Sequence, residues 1–131
     1  MNDTAHKNSC ENANKNKEQV DNFAILYSLR NCPYAMRARM AIYKANCPVL
    51  LRDVVLSNKP QEMITASPKG TVPVVVLKSG KVIEESLEVM LWAFNENDPQ
   101  DLMHKSTAEP VNSASDMLEL INHFDSEFKT A

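Results

Sequence analysis

The sequence predicts an α/β domain: a four-stranded mixed sheet with helices on both faces, followed by one extra C-terminal helix. Three observations predict it. Apolar runs of strand length alternate with stretches of helical spacing between about residues 23 and 66. Two further short strands are separated by the tight Lys78-Ser79-Gly80 turn, which reads as a hairpin. A strong helical pattern follows that hairpin. A right-handed βαβ unit joined to an antiparallel ββα unit closes into one mixed sheet.

Each element has its own justification. Residues 1–21 are rich in Asn, Lys and Glu with almost nothing apolar, so they are expected to form a disordered tail, and Cys10 within it is assigned no role. Phe23 to Ser28 is a continuous apolar run, as expected for a central strand covered on both faces. Tyr34 to about Ala45 reads as a helix, with Met36, Met40 and Ile42 as core candidates and Asn46 and Pro48 as its stop. Val49 to Leu56 reads as a second strand. A short helix begins in Ser57-Asn58-Lys59-Pro60-Gln61-Glu62, with Pro60 at its start, and Ser67-Pro68-Lys69-Gly70 breaks it. Thr71 to Leu77 is the third strand and Lys81 to Ile83 the fourth. A helix from Glu85 to about Phe94 carries Leu87, Met90, Leu91 and Phe94 at helical spacing and stops at Asn95 to Pro99. Residues 100–111 look like a linker. Ser115 to about Phe128 is a last helix with Met117, Leu118, Ile121, Phe124 and Phe128 on one side, expected to pack on the helix that starts at Glu85. The element order is the thioredoxin-like arrangement: a polar tail over 1–21, the thioredoxin-like unit over 22–99, and over 100–131 a linker with the first helix of an incomplete helical domain.

Composition narrows the function. The chain has 131 residues, is 44% hydrophobic and carries a net charge of −3. No basic patch interleaved with aromatics suggests nucleic acid. The N-terminus lacks the apolar core of a secretory signal, and no apolar run approaches the ~20 residues of a membrane span. Neither nucleic acid nor membrane is therefore an expected partner. His6, His104 and His123 lie in unrelated contexts, and no His/Cys cluster has metal-ligand spacing, so no metal is expected. An odd cysteine count of 3 fits a reducing compartment, and a cytoplasmic location is expected.

The residue on which the chemistry turns is Cys32. An apolar strand delivers it to the first turn of a helix, where Pro33 suits a position whose missing N–H costs nothing. There it faces free backbone N–H groups and the positive end of the helix dipole, an environment that favours thiolate over thiol, and Arg30 and Arg37 are placed to push the same way. The sequence carries an internal control. Asn-Cys-Pro recurs at Asn46-Cys47-Pro48, at the end of that helix, where a thiolate is disfavoured. Cys32 is read as reactive and Cys47 as structural.

Three motifs together resemble a known family: Cys32-Pro33-Tyr34-Ala35, Thr71-Val72-Pro73-Val74 and Ile83-Glu84-Glu85-Ser86. In this order and spacing they resemble the N-terminal domain of glutathione S-transferases, and most of all its cysteine-type members, omega-like enzymes and glutaredoxin-2-like proteins. The resemblance covers about residues 23–99. It implies that Cys32 forms the mixed disulfide with glutathione and that Val72 offers its backbone N–H and C=O to the cysteinyl part, with a cis bond before Pro73. It further implies that Glu85 and Ser86 hold the γ-glutamyl end, the first pairing with the ammonium and the second binding the carboxylate at a helix start. Lys59 matches the basic residue that meets the glycyl carboxylate, and Tyr34 is counted with the glutathione-binding residues. Two departures matter. Ala35 stands where a second, resolving cysteine would be. The chain also ends after what looks like the first helix of the relatives' helical domain.

The expected activity is a glutathione-dependent thiol transferase or disulfide reductase working by a monothiol route, with glutathione and its mixed disulfides as partners and no appreciable conjugation of bulky hydrophobic electrophiles. Two alternatives stay open at the level of sequence. One is a non-catalytic interaction module on the same fold, like the stringent-starvation proteins. The other is the N-terminal piece of a longer glutathione S-transferase. Apolar surface left uncovered would favour a homodimer, although no motif specifies one.

Overall fold

The computed structural model describes residues 22–103 and 114–129. The expected polar tail with Cys10 and His6, and most of the expected linker with His104, lie outside these residues. The elements run β1 (Ala24–Ser28), α1 (Pro33–Lys44), β2 (Val49–Asp53), α2 (Gln61–Ala66), β3 (Val74–Val76), β4 (Val82–Ile83), α3 (Ser86–Glu96) and α4 (Ala114–Lys129). The sheet has four strands in the order β2-β1-β3-β4. β1 pairs with β2 in parallel and with β3 antiparallel, and β3 pairs with β4 antiparallel. This is the thioredoxin-like mixed sheet.

Both faces of β1 are covered, with period 2. Ala24 and Leu26 join a core with Ala38, Ala41 and Ile42 of α1, Val75 and Ile83, and Val89, Ala93 and Phe94 of α3. Tyr27 joins a second cluster with Val54, Met63 of α2 and Val74, against which Ile25 and Val76 pack. Helices α1 and α3 thus lie on one face and α2 on the other, and burial on both faces explains why β1 reads as an uninterrupted apolar run.

The two Asn-Cys-Pro copies bracket α1. Cys32 is its N-cap in extended conformation, with Pro33 at the first helical position. At the far end Asn46 takes a left-handed φ of 51°. Its N–H donates to the Tyr43 carbonyl at 3.1 Å, and the Cys47 N–H to the Ile42 carbonyl at 3.1 Å. This pair of reversed bonds satisfies the last carbonyls of the helix, and asparagine tolerates the left-handed turn it needs.

Several expectations are corrected. Met36 and Met40 are not core residues; they are 42% and 67% exposed, while Ala35, Ala38 and Ala41 are buried. Small residues let α1 approach α3 and the sheet closely, and a methionine at those positions would hold the helices apart. β2 stops at Asp53 rather than Leu56 because its partner β1 ends at Ser28, opposite Asp53. Beyond it Val54 donates one more bond to the Ser28 carbonyl, and Val55 bridges Asn58 across a turn. β3 begins at Val74 rather than Thr71: Pro73 has no N–H to donate, and the Val72–Pro73 bond is cis. α2 begins at Gln61 with Pro60 as its N-cap, leaving Ser57 to Lys59 in the connection. The hairpin forms where expected, with Gly80 at φ 86° donating its N–H to the Leu77 carbonyl.

α4 docks on α3 as expected. Leu87, Met90, Leu91 and Phe94 meet Met117, Leu118 and Ile121 around a small apolar cavity of about 130 Å³. Phe124, expected on the same buried side, is 50% exposed. A two-pronged ion pair between Arg37 of α1 and Asp125 of α4 fixes the helix from a second direction.

Candidate functional site

The β1–α1 loop that carries Cys32 is held by one side chain. Arg39, one and a half turns into α1, donates from Nη1 to the Ser28 hydroxyl and to the Leu29 carbonyl at 3.0 Å, and from Nη2 to the Arg30 carbonyl at 3.0 Å. The Cys32 N–H donates to the Leu29 carbonyl at 3.2 Å, and its carbonyl accepts from the Met36 N–H at 2.8 Å. Cys32 is partly exposed and forms no disulfide. It therefore opens α1 as expected. Cys47 differs: burial, and then the Glu96 carboxylate, push its thiol pKa above the ordinary value.

Tyr34, one turn-position further on, helps line a cleft of about 280 Å³ with Lys69, Thr71, Val72, Pro73, Glu84, Glu85 and Ser86. The structure thus brings together Tyr34, Val72, Pro73, Glu85 and Ser86 from three separate motifs. Cys32 sits two residues before Tyr34 at the helix start, outside the lining. Lys59 is also outside it, beside Gly70: its Nζ lies 3.1 Å from where a β-carbon on Gly70 would stand. The left-handed φ of 63° at Gly70 turns the chain there, between Lys69 and the cleft loop.

One wall of the cleft is charged. The Lys69 ammonium donates to Glu85 Oε1 at 2.7 Å, an exposed pair. That hydrogen bond, reinforced by the charges of Glu85, Glu84 and Glu88, raises the lysine pKa. Glu84 accepts from the buried Ser67 hydroxyl at 2.6 Å, which ties the end of α2 to the residues before α3. Ser86 is the first residue of α3 and is 4% exposed, so its hydroxyl sits at the positive end of the helix dipole.

Residues to which sequence reasoning gave no role lie within or beside the motifs it found. Lys69 and Thr71 flank Gly70 just before Val72, and Glu84 precedes Glu85. Arg37 was expected to act on Cys32. Its guanidinium instead donates from Nε to the Ser86 hydroxyl at 2.8 Å, pairs with Asp125, and lies 5.3 Å from the centre of the Tyr34 ring. Its position one turn after Tyr34 was the only available signal. Among the described residues no group of three or more His, Cys, Asp or Glu side chains is arranged to hold a metal ion, and no helix is long and apolar enough to cross a membrane.

A thioredoxin-like sheet, a cysteine and proline opening the first helix, and a cis proline entering the third strand define the class of the glutathione S-transferase N-terminal domain. A family model of that domain matches residues 26–101. The chain belongs to the glutathione S-transferase family. It is 42% identical over 55 residues to a probable glutathione transferase of Aplysia californica, covering 42% of this chain and 60% of the relative. It is 32% identical over 87 residues to the probable chloroplastic glutathione S-transferase DHAR2 of Oryza sativa subsp. japonica, covering 66% of this chain and 30% of the relative. The crystal structure of glutathione transferase Omega 3C from Trametes versicolor superposes with a TM-score of 0.57 at 31% identity, covering 75% of this chain and 44% of that one. The chain thus spans from under a third to three fifths of the length of these proteins.

Proposed function

We propose that this chain binds glutathione and acts as a thiol transferase through Cys32 by a monothiol route. Family membership supports glutathione as the ligand. The observation that carries the reading is the polarity of the cleft next to a helix-opening cysteine. An acidic lip of Glu84 and Glu85 suits an ammonium, and Ser86 with the α3 N-terminus, less than one turn away, suits a carboxylate. A γ-glutamyl group presents this pair of charges. Lys69 pairs with Glu85 at 2.7 Å. An exposed ion pair of this kind is weak enough to be exchanged for the ligand's ammonium. Val72, at the mouth of β3 before the cis proline, supplies backbone N–H and C=O for the middle of the peptide, and Lys59 is our choice for its terminal carboxylate.

The reaction balances with glutathione alone. The Cys32 thiolate attacks the glutathionyl sulfur of a mixed disulfide; that S–S bond breaks, a Cys32–glutathione disulfide forms, and the other thiolate leaves and takes up a proton. A second glutathione, as thiolate, attacks the same glutathionyl sulfur, releasing oxidised glutathione and regenerating Cys32. No thiol of the described residues competes for the second step. Position 35 is alanine, and the length of α1 puts Cys47 on the order of 20 Å away, beyond disulfide reach. A compartment rich in reduced glutathione is required, and we place the protein in the cytoplasm.

The test is intact-mass analysis after exposure to oxidised glutathione, alongside turnover of a small glutathione mixed disulfide. One glutathione adduct on the wild type, absent from Cys32→Ser, with turnover lost in the same variant, is the expected result. Conjugation of an aryl halide that survives Cys32→Ala would overturn both nucleophile and reaction class.

A further inference from the structure

The geometry points to Arg37 as a positioning residue that couples the docking of α4 to the affinity of the ligand cleft, with Asp125 as its anchor. This rests on reading the cleft as the glutathione site. One half-buried guanidinium touches three helices. Nε donates to the Ser86 hydroxyl of α3 at 2.8 Å, and the two terminal nitrogens hold Asp125 Oδ1 and Oδ2 of α4 at 2.9 and 2.8 Å. Its carbon lies 5.3 Å from the ring centre of Tyr34, itself a cleft residue.

The donor inventory gives this contact a direction. A guanidinium donates and never accepts, whereas a hydroxyl has one hydrogen and two lone pairs. Ser86 must therefore accept from Arg37, and its own hydrogen is left to be given to something else. Because Ser86 is 4% exposed, its hydroxyl is shielded from solvent reorientation, and Arg37 selects which way it is polarised. A carboxylate arriving at the start of α3 meets a hydroxyl already turned to donate. The fork is planar, so seating both terminal nitrogens on one carboxylate also fixes where Nε points. Without Asp125 the guanidinium regains rotation and Ser86 loses its enforced polarity. Lysine, a point charge with no fork, cannot replace the arrangement.

Asp125 lies outside the 26–101 match, on a helix that lends no described residue to the cleft wall. The α4 helix is thus a remote part of the ligand site, and coupling of this kind is reciprocal: if α4 strengthens ligand binding, ligand strengthens the docking of α4.

Binding of S-methylglutathione, which cannot form a disulfide, is measured by titration calorimetry. Hydrogen exchange over residues 114–129 is followed with and without it. In the wild type the ligand is expected to slow exchange in α4. Asp125→Asn is expected to weaken binding about five-fold or more and to abolish that slowing, while the rate at which iodoacetamide alkylates Cys32 without ligand stays the same. Asp125→Glu is expected to restore most of the affinity, and Arg37→Lys is not, although it keeps the charge. Binding by Asp125→Asn or Arg37→Lys at the wild-type level, or α4 exchange in the wild type indifferent to ligand, overturns the coupling while leaving the cleft a glutathione site. A wild type that does not bind S-methylglutathione at all overturns the reading of the cleft and this inference with it.

Discussion

Replacing Arg39 by methionine isolates what holds the Cys32 loop. The substitution keeps most of the aliphatic stem, so packing along α1 is preserved and the loss is confined to three hydrogen bonds. The Arg30 carbonyl is exposed, so water can replace the guanidinium there, and the Leu29 carbonyl keeps the Cys32 N–H as a donor; each lost bond costs about 0.5–1 kcal/mol. The third acceptor differs. The Ser28 hydroxyl is 1% exposed, and a buried polar group left without its partner costs about 1–3 kcal/mol. Arg39→Met should therefore lose about 2–5 kcal/mol, with Ser28 the largest single contribution. With a urea dependence of about 1.5 kcal/mol per molar, typical of a small domain, the unfolding midpoint falls by more than about 1 M. The assay is urea unfolding of the wild type, Arg39→Met, Ser28→Ala and the double variant. Because the buried orphan disappears when both partners go, the double variant should recover about 1 kcal/mol or more relative to Arg39→Met alone. An Arg39→Met midpoint equal to wild type, or strictly additive effects of the two substitutions, would refute the assignment of Arg39 as the clamp of this loop.

Two further outcomes follow from packing and from protonation. Ala38→Leu forces a large side chain into the α1–α3 contact at a position of 0% exposure and should cost about 1–3 kcal/mol, read as a lower melting temperature, whereas Met40→Leu on the open side of the same helix should leave it unchanged. The Cys47 thiol pKa is raised above its ordinary 9.0 by burial and by Glu96, so the native state favours the protonated form more than the unfolded chain does. Its contribution is complete below the unfolded value and is lost as pH rises through the folded one. Cys47→Ala should thus flatten the fall in urea midpoint as pH rises past 9.0. An unchanged slope would show that another group, such as the similarly shifted Tyr27, governs it.

The legible features were those written in backbone chemistry. The prolines at the first position of α1 and just before β3 have few conformations, and the asparagine at the end of α1 tolerates a left-handed turn that most residues avoid, so their places in the fold follow from their identity. The hairpin and the contact of α4 with α3 followed in the same way, from turn residues and apolar spacing. Features decided by shape were not legible. Hydropathy ranks Met36 and Met40 above Ala35 and Ala38, but close approach of two helices selects the smaller side chain. The end of β2 depends on where β1 runs out of partners, information that β2 does not carry. The candidate cleft was legible through its three motifs, while Arg37 was assigned to the wrong target. Its partners Ser86 and Asp125 lie 49 and 88 positions away, and no local pattern marks such pairs.

The sheet has one seam that differs from the rest. β1, α1 and β2 form a local unit, and β3 and β4 close across a tight turn. Within the sheet the two units join through β1 and β3, at Ile25 with Val76, Leu26 with Val75 and Tyr27 with Val74. Those pairings enclose the longest loop in the sheet, so their entropy cost must be met before any contact repays it. Cys32 follows β1 and Val72 precedes β3, so the antiparallel pairing puts both at the same end of that seam. A chain emerging during synthesis therefore exposes the Cys32 helix before the strand and helix that would face it have formed. A glutathione held between these halves would act as a reversible staple across the join, raising the concentration of denaturant needed to part them in step with the logarithm of its own concentration.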